Sequence, residues 1–298
     1  MTAPSVTIVG PGRMGLALGA ALVQTEAVGS LTVYGRRPEP PAHPLFTQGS
    51  ARYVFGVEPL DPRTSALLLA VPDSVVSEMA FTIAAQGPAP VRCAAFHLSG
   101  ALSTDVLGPL HSQGYSVGSF HPLQGVSHPV SAADRIPGSY VAVVGSPEAT
   151  AVARDLIAGL GCHMISVPER NRPLYHAATV MASNYILPLL DLSARIMEQA
   201  GVSSEDALRS LLPLVQGTLA SIEESGIGSS IRGPLARGDV ETVALHLRAL
   251  EPEDQRLYAL FGAELLRLVG SGVGEEARAQ LAELFGRYAA VETTATGH

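Results

Sequence analysis

The chain has 298 residues, of which 47% are hydrophobic, 15% charged and 5% aromatic, with no Trp. That much apolar material fills more than one core and excludes a disordered chain. A formal net charge of −8 argues against a nucleic-acid partner, which would need a basic field.

All 19 residues counted as Lys or Arg are Arg, so every mechanism that needs a lysine amine is excluded. Cys93 and Cys162 are the only cysteines and lie far apart, in neither a zinc-ligand nor a disulfide spacing. The histidines show no i, i+4 pairing with carboxylates nearby, so no metal is expected. The N-terminus has no basic signal region, and no apolar run reaches the ~18 residues of a membrane span. A soluble cytoplasmic protein with no membrane partner is the expectation.

In chain order, Val6 to Val9 reads as a buried strand, and Met14 to Val23 as an Ala- and Leu-rich helix. Leu31 to Tyr34 is a second strand, after which Pro38, Pro40 and Pro41 impose a loop. Ala66 to Val71 is a third strand, and Ser74 to Ala85 a helix capped by Ser74 or Asp73. Val91 to Leu98, Ser116 to Phe120, Tyr140 to Gly145 and His163 to Val167 are further strands, with a helix over Pro147 to Leu160. This alternation predicts a Rossmann-type, doubly wound parallel α/β sheet over residues 1–167. From 168 to 298 the pattern is all-α. Tyr175 to Ala200 reads as one long helix bent at Pro188. Further helices are expected over Ser204 to Glu224, Asp239 to Ala249, Pro252 to Leu268 and Glu275 to Ala290, with a frayed tail from Val291 to His298.

Gly10-Pro-Gly12-Arg13-Met14-Gly15 sits between the first strand and the first helix. In that context the spacing predicts a dinucleotide turn: Gly10 for the tight bend, Gly12 for close approach of a pyrophosphate, and Gly15 for helix–strand packing. An NAD site places a carboxylate at the end of the second strand. Here that place holds Gly35, Arg36 and Arg37, which suit the 2′-phosphate of NADP(H). Val71 and Pro72 end the strand bordering the nicotinamide side.

A second set of polar residues gathers at strand ends. His97-Leu-Ser99-Gly100 closes one strand and His121-Pro-Leu-Gln124 the next. Ligands of open α/β sheets bind beyond such ends. His121 and His176 are both candidate proton donors. Ser99 and Asn184 are candidates for orienting a substrate, Asn184 lying two helical turns from His176 on the expected long helix. Arg237, in Gly233-Pro-Leu-Ala-Arg237-Gly238-Asp239, is a candidate anchor for a substrate carboxylate or a member of a salt bridge.

On these residues the chain resembles the two-domain reductases that join a Rossmann domain to a helical domain. These include pyrroline-5-carboxylate reductases, ketopantoate reductases and 6-phosphogluconate dehydrogenase-like enzymes. Ser119-Phe-His121-Pro-Leu-Gln124, Tyr175-His176-Ala-Ala, Ser183-Asn184 and the Gly233–Asp239 segment are similar to Rossmann-like proteins with a DUF2520 C-terminal domain. The resemblance implies an NADP-linked oxidoreductase that dimerises through its helical domain. One departure stands out. Branches of that superfamily carry a Lys four residues before an Asn, where this chain has Val180 before Asn184, so His121 or His176 must supply the proton. The expected reaction is reduction of a small, anionic carbonyl or imine compound, such as a ketopantoate-like 2-oxo acid, by NADPH. The alternatives are an NADP-binding sensor or scaffold without turnover, and hydride exchange between NADP and a deazaflavin.

Overall fold

A computed structural model describes residues 3–290; the tail from Val291 to His298, expected to fray, lies outside the described residues. The chain divides into two compact units, 1–183 and 184–298.

The first unit contains strands β1 (Ser5–Val9), β2 (Ser30–Gly35), β3 (Arg52–Phe55), β4 (Thr64–Leu69), β5 (Ala94–His97), β6 (Ser116–Pro122), β7 (Tyr140–Gly145) and β8 (His163–Ser166). Its helices are α1 (Arg13–Gln24), α2 (Pro44–Thr47), α3 (Asp73–Ala84), α4 (Gly108–Ser112), α5 (Pro129–Ala133), α6 (Pro147–Gly159) and α7 (Arg172–Ser183). One eight-stranded sheet runs in the order β3-β2-β1-β4-β5-β6-β7-β8. The inner strands are buried on both faces because alternate side chains feed two cores. Along β4, Ala66 and Leu68 join the core that includes Leu16, Leu18 and Leu156, while Leu67 and Leu69 join the one that includes Val76, Ile83 and Leu107.

The expected α/β architecture is present, with one departure from an all-parallel sheet: β7 pairs antiparallel to β6. The connection explains it. Between those strands the only helix is α5, of five residues, which packs against α1. A helix that short spans about 7 Å, too little to carry the chain back along the sheet for a parallel crossover. The chain therefore enters β7 from the edge at which β6 ended. The 13-residue α6 does make the full crossover, and β8 runs parallel to β7.

Two elements, α2 and β3, lie where only a loop was expected. β3 is a four-residue edge strand whose single buried residue is Val54, so it carries little of the hydrophobic pattern that marks an interior strand. Asp73 and Ser74 do not cap α3. The N-cap is Pro72, and Asp73 lies in the first turn with its carboxylate turned to another partner.

The second unit holds α8 (Ile186–Gln199), α9 (Ser204–Ser230), α10 (Val240–Ala249), α11 (Pro252–Leu268) and α12 (Glu275–Ala289). The expected single helix from Tyr175 to Ala200 is two helices, α7 and α8, interrupted at Asn184-Tyr185 rather than bent at Pro188. The interruption falls four residues before Pro188 because a proline ring excludes the carbonyl at that position. The Asn184 carbonyl instead accepts from the Leu187 N–H at 3.2 Å. Beyond Glu224, Gly226 breaks the helical path of α9 with φ +78°. The core of this unit lies among α10, α11 and α12, where Leu247, Leu281 and Phe285 are buried. Among the described residues no helix is long and apolar enough to cross a membrane.

Candidate active site

The first part of the site is the turn from β1 into α1. Gly10 adopts φ +107°, and a Cβ there would strike the carbonyl oxygen of Ala70. A Cβ on Gly15 would strike the Gly10 carbonyl oxygen and lie 3.0 Å from the Ala70 Cβ, so α1 sits directly on the ends of β1 and β4. Gly12 differs: the nearest atom to its would-be Cβ is 4.0 Å away, and the surface beside it is open. Arg13 is exposed and Met14 half-buried. No side chain caps α1 and no acidic residue occupies its first turn. Its unpaired N–H groups and positive dipole end therefore suit an anion.

At the end of β2, a Cβ on Gly35 would strike the Tyr53 hydroxyl, and that hydroxyl donates to the Arg37 carbonyl at 2.6 Å. The unexpected strand β3 thus shapes the loop that presents Arg36 and Arg37. Both side chains are exposed, and among the described residues neither forms an ion pair. Val71 and Pro72 follow β4; the Val71 Cγ1 lies 3.1 Å from where a Gly10 Cβ would stand.

The second part is at the carboxyl ends of β4, β5 and β6, the same edge of the sheet. Ser99 donates its hydroxyl proton to Asp73 Oδ2 at 2.7 Å and accepts the Ala101 and Leu102 N–H groups, each at 3.1 Å. Its side chain is fully engaged in shaping the loop after β5. Within that loop Gly100 lies against two imidazoles: a Cβ there would be 2.7 Å from His176 Cδ2 and 2.9 Å from His121 Cε1. His121 Nδ1 is 2.6 Å from the Tyr175 hydroxyl. The ring of His176 stands edge-on to that of His121, with centroids 6.2 Å apart. Arg172, one turn before them on α7, is buried, with Nη1 donating to Ser119 Oγ at 2.6 Å and Nη2 to the Ser99 carbonyl at 2.5 Å.

Burial sets the charge states. It pushes His121 down to about 4, reinforced by His176 and Arg172 and opposed by Asp73, so its imidazole is neutral at pH 7. His97, fully buried on β5, is pushed down to about 4 by burial and then by Arg172. Burial raises the Tyr175 phenol to about 12, against the opposing pull of Arg172.

Of the residues expected from the sequence, Ser99, His121 and His176 meet around Gly100, and Gly10, Gly12 and Gly15 form the turn. Asn184 lies in the break after α7 and belongs to the second unit. Arg237, also in that unit, is exposed at the end of a short 3-10 turn. Asp239 after it caps α10 by accepting from the Thr242 N–H at 3.0 Å. Asp73, Gly100, Arg172 and Tyr175 were not among the site residues expected from the sequence. Arg172 lies in the polar stretch between Pro168 and Pro173, and only its burial distinguishes it from a surface arginine.

A Rossmann-like domain matches residues 2–122, and a domain of unknown function, DUF2520, matches residues 139–265. No curated protein gives a significant match. Among solved structures, a protein from Thermotoga maritima is similar with a TM-score of 0.68 at 21% identity, covering 89% of this chain and 98% of that one. A candidate NADP oxidoreductase from Bacteroides fragilis is similar with a TM-score of 0.65 at 21% identity, covering 87% and 96%. The pyrroline carboxylate reductase of Plasmodium falciparum, solved with NADP bound, has a TM-score of 0.61 at 14% identity, covering 95% and 100%. At these identities the likeness is one of fold. The chain is thus similar to a Rossmann-like domain over 2–122 and to a DUF2520 domain over 139–265.

Proposed function

We propose that the protein is an NADP(H)-dependent oxidoreductase that reduces a small carbonyl or imine compound. The observation that carries this reading is the open Gly10–Gly15 turn, flanked by Arg36 and Arg37 where an NAD site would hold a carboxylate. The residues fit the cofactor: Gly12 leaves room for a pyrophosphate, the uncapped first turn of α1 would receive it, and the arginines would take the 2′-phosphate. The fold shared with an NADP-bound reductase supports the same assignment. When bound, NADPH would supply the hydride.

The proton is the task of the chain's own residues. In this reading the Tyr175 hydroxyl, 2.6 Å from Nδ1, is the donor of that hydrogen bond, and the proton of the neutral His121 imidazole sits on Nε2. A neutral N–H of this kind polarises a carbonyl oxygen or imine nitrogen as an electrophile. As the proton leaves Nε2 for the substrate, Nδ1 takes the Tyr175 proton, and solvent restores the pair. His176 flanks the same space and orients the substrate. Ser99, its proton held by Asp73, shapes the loop rather than touching the substrate.

The second unit supports a homodimer. α8 and α9 pack on each other, yet each has only one buried residue, Leu192 and Ala207 respectively. Leu187, Leu214, Leu219 and Ile227 on these helices are exposed, an apolar surface suited to a second copy. A monomer in light scattering would remove this part of the reading.

The cofactor assignment is tested by calorimetric titration with NADPH and NADH. NADPH should bind more tightly, and Arg36→Ala with Arg37→Ala should cut that preference by roughly tenfold, the lower end for charged hydrogen bonds at an exposed site. Equal affinities in the unaltered protein would sink the assignment.

A further inference from the structure

We propose that Arg172 is a positioning residue that clamps the first turn of α7 onto the ends of β5 and β6, and so sets Tyr175 and His176 against His121. The inference rests on the reading of His121 as the proton donor. Arg172 is 1% exposed, and among the described residues no carboxylate lies within salt-bridge distance of it. Burying an unpaired guanidinium is costly, and an apolar residue of similar volume would fill the space at lower cost. Stability alone therefore does not account for it.

Its hydrogen bonds do. One arm of the fork reaches Ser119 on β6, and the other reaches the Ser99 carbonyl just after β5. A planar fork meets two fixed acceptors on neighbouring strands at once, which a single ammonium point cannot do. Tyr175 and His176 follow three and four residues later, one helical turn on, and so lie on the same face as Arg172. Tyr175 is the residue whose hydroxyl reaches His121 Nδ1 at 2.6 Å, and His176 is the one packed over Gly100. The same loop is held from the other side by Asp73 through Ser99. The clamp thus joins both walls of the site: the helix that carries Tyr175 and His176, and the strand ends that carry Ser99 and His121.

The test is a histidine titration by heteronuclear NMR on the full-length protein without cofactor, with Arg172→Met and Ser119→Ala. His121 is faced by Arg172, Tyr175 and His176 from α7, by Asp73 from α3 and by His97 from β5. Loosening the clamp opens the site to water, and Arg172→Met also removes a positive charge. Both changes should move the His121 midpoint upward by at least about one pH unit. Because losing that charge raises the midpoint by itself, Ser119→Ala, which retains the buried charge, carries the test of positioning. A folded variant that is less stable but leaves the His121 midpoint and its bond to Tyr175 unmoved would overturn the proposal. The readout needs no turnover, so it stands apart from the reductase assignment: that assignment fails if NADPH is not bound, whatever the titration shows.

Discussion

Replacing Gly100 with Ala puts one methyl group at the centre of the candidate site. An ideal Cβ there lies 2.7 Å from His176 Cδ2, 2.9 Å from His121 Cε1 and 3.1 Å from His121 Nε2. Ordinary carbon contacts are about 3.5–4.0 Å, so both rings must retreat by roughly 0.5–1 Å. Neither retreats freely. His121 is tied through Nδ1 to Tyr175, and His176 stands on a helix held at its first turn by Arg172. Overpacking of this kind costs about 1–3 kcal/mol. In a unit of this size each kcal/mol lowers Tm by about 2–4 °C. Turnover should suffer more than stability, because a misplacement of about 1 Å costs on the order of 10²-fold in rate. NADPH affinity should hold, since the turn proposed to receive it is built from other glycines. Calorimetric melting, cofactor titration and the imidazole resonances of His121 and His176 read these effects separately. A Gly100→Ala variant with unchanged Tm and unchanged imidazole signals would refute the packing argument.

Further predictions concern the turn and the buried histidines. Gly15→Ala forces a methyl against the Gly10 carbonyl oxygen, a backbone atom that cannot swing aside. It should cost about 1–3 kcal/mol by melting and weaken NADPH binding, whereas Arg13→Ala, at an exposed position, should leave stability within about 0.5 kcal/mol. His97 is held down at about 4 by burial, so the unfolded chain binds the extra proton between the ordinary histidine value and pH 4. Stability is therefore complete above that window and is lost as pH falls through it, by on the order of 3 kcal/mol for this residue. Urea melts from pH 7.5 to 4.5 should show the loss. His121, also held at about 4, contributes over the same window, so His97→Phe should roughly halve the slope, and a variant with the same slope would assign the pH dependence elsewhere.

The parts legible in the sequence are those whose cause is local. The Val6–Val9 strand, the glycine spacing and the apolar runs of β4 and β7 carry their own local signal, and the structure has each element in place. The edge strand β3 was not legible, because four residues with one buried side chain leave almost no pattern. Pro188 announced a disturbance, but its effect falls on the carbonyl four residues earlier, which turned an expected bend into a break at Asn184. The antiparallel turn into β7 depended on the shortness of α5, and that five-residue segment has no sequence signature of its own.

By itself the sequence determined that a turn with the glycine spacing of a dinucleotide site opens an α/β sheet, that arginines stand where an NAD site needs an acid, and that no lysine serves as proton donor. Only the tertiary structure decided how His121 is equipped. Asp73 meets Ser99 across 26 residues, Arg172 meets Ser119 across 53 and the Ser99 carbonyl across 73, and Tyr175 meets His121 across 54. No spacing rule links positions so far apart. They come together because parallel strands end on one edge of the sheet and α7 begins there, and burial at that edge encloses Arg172 and lowers the His121 imidazole to about 4.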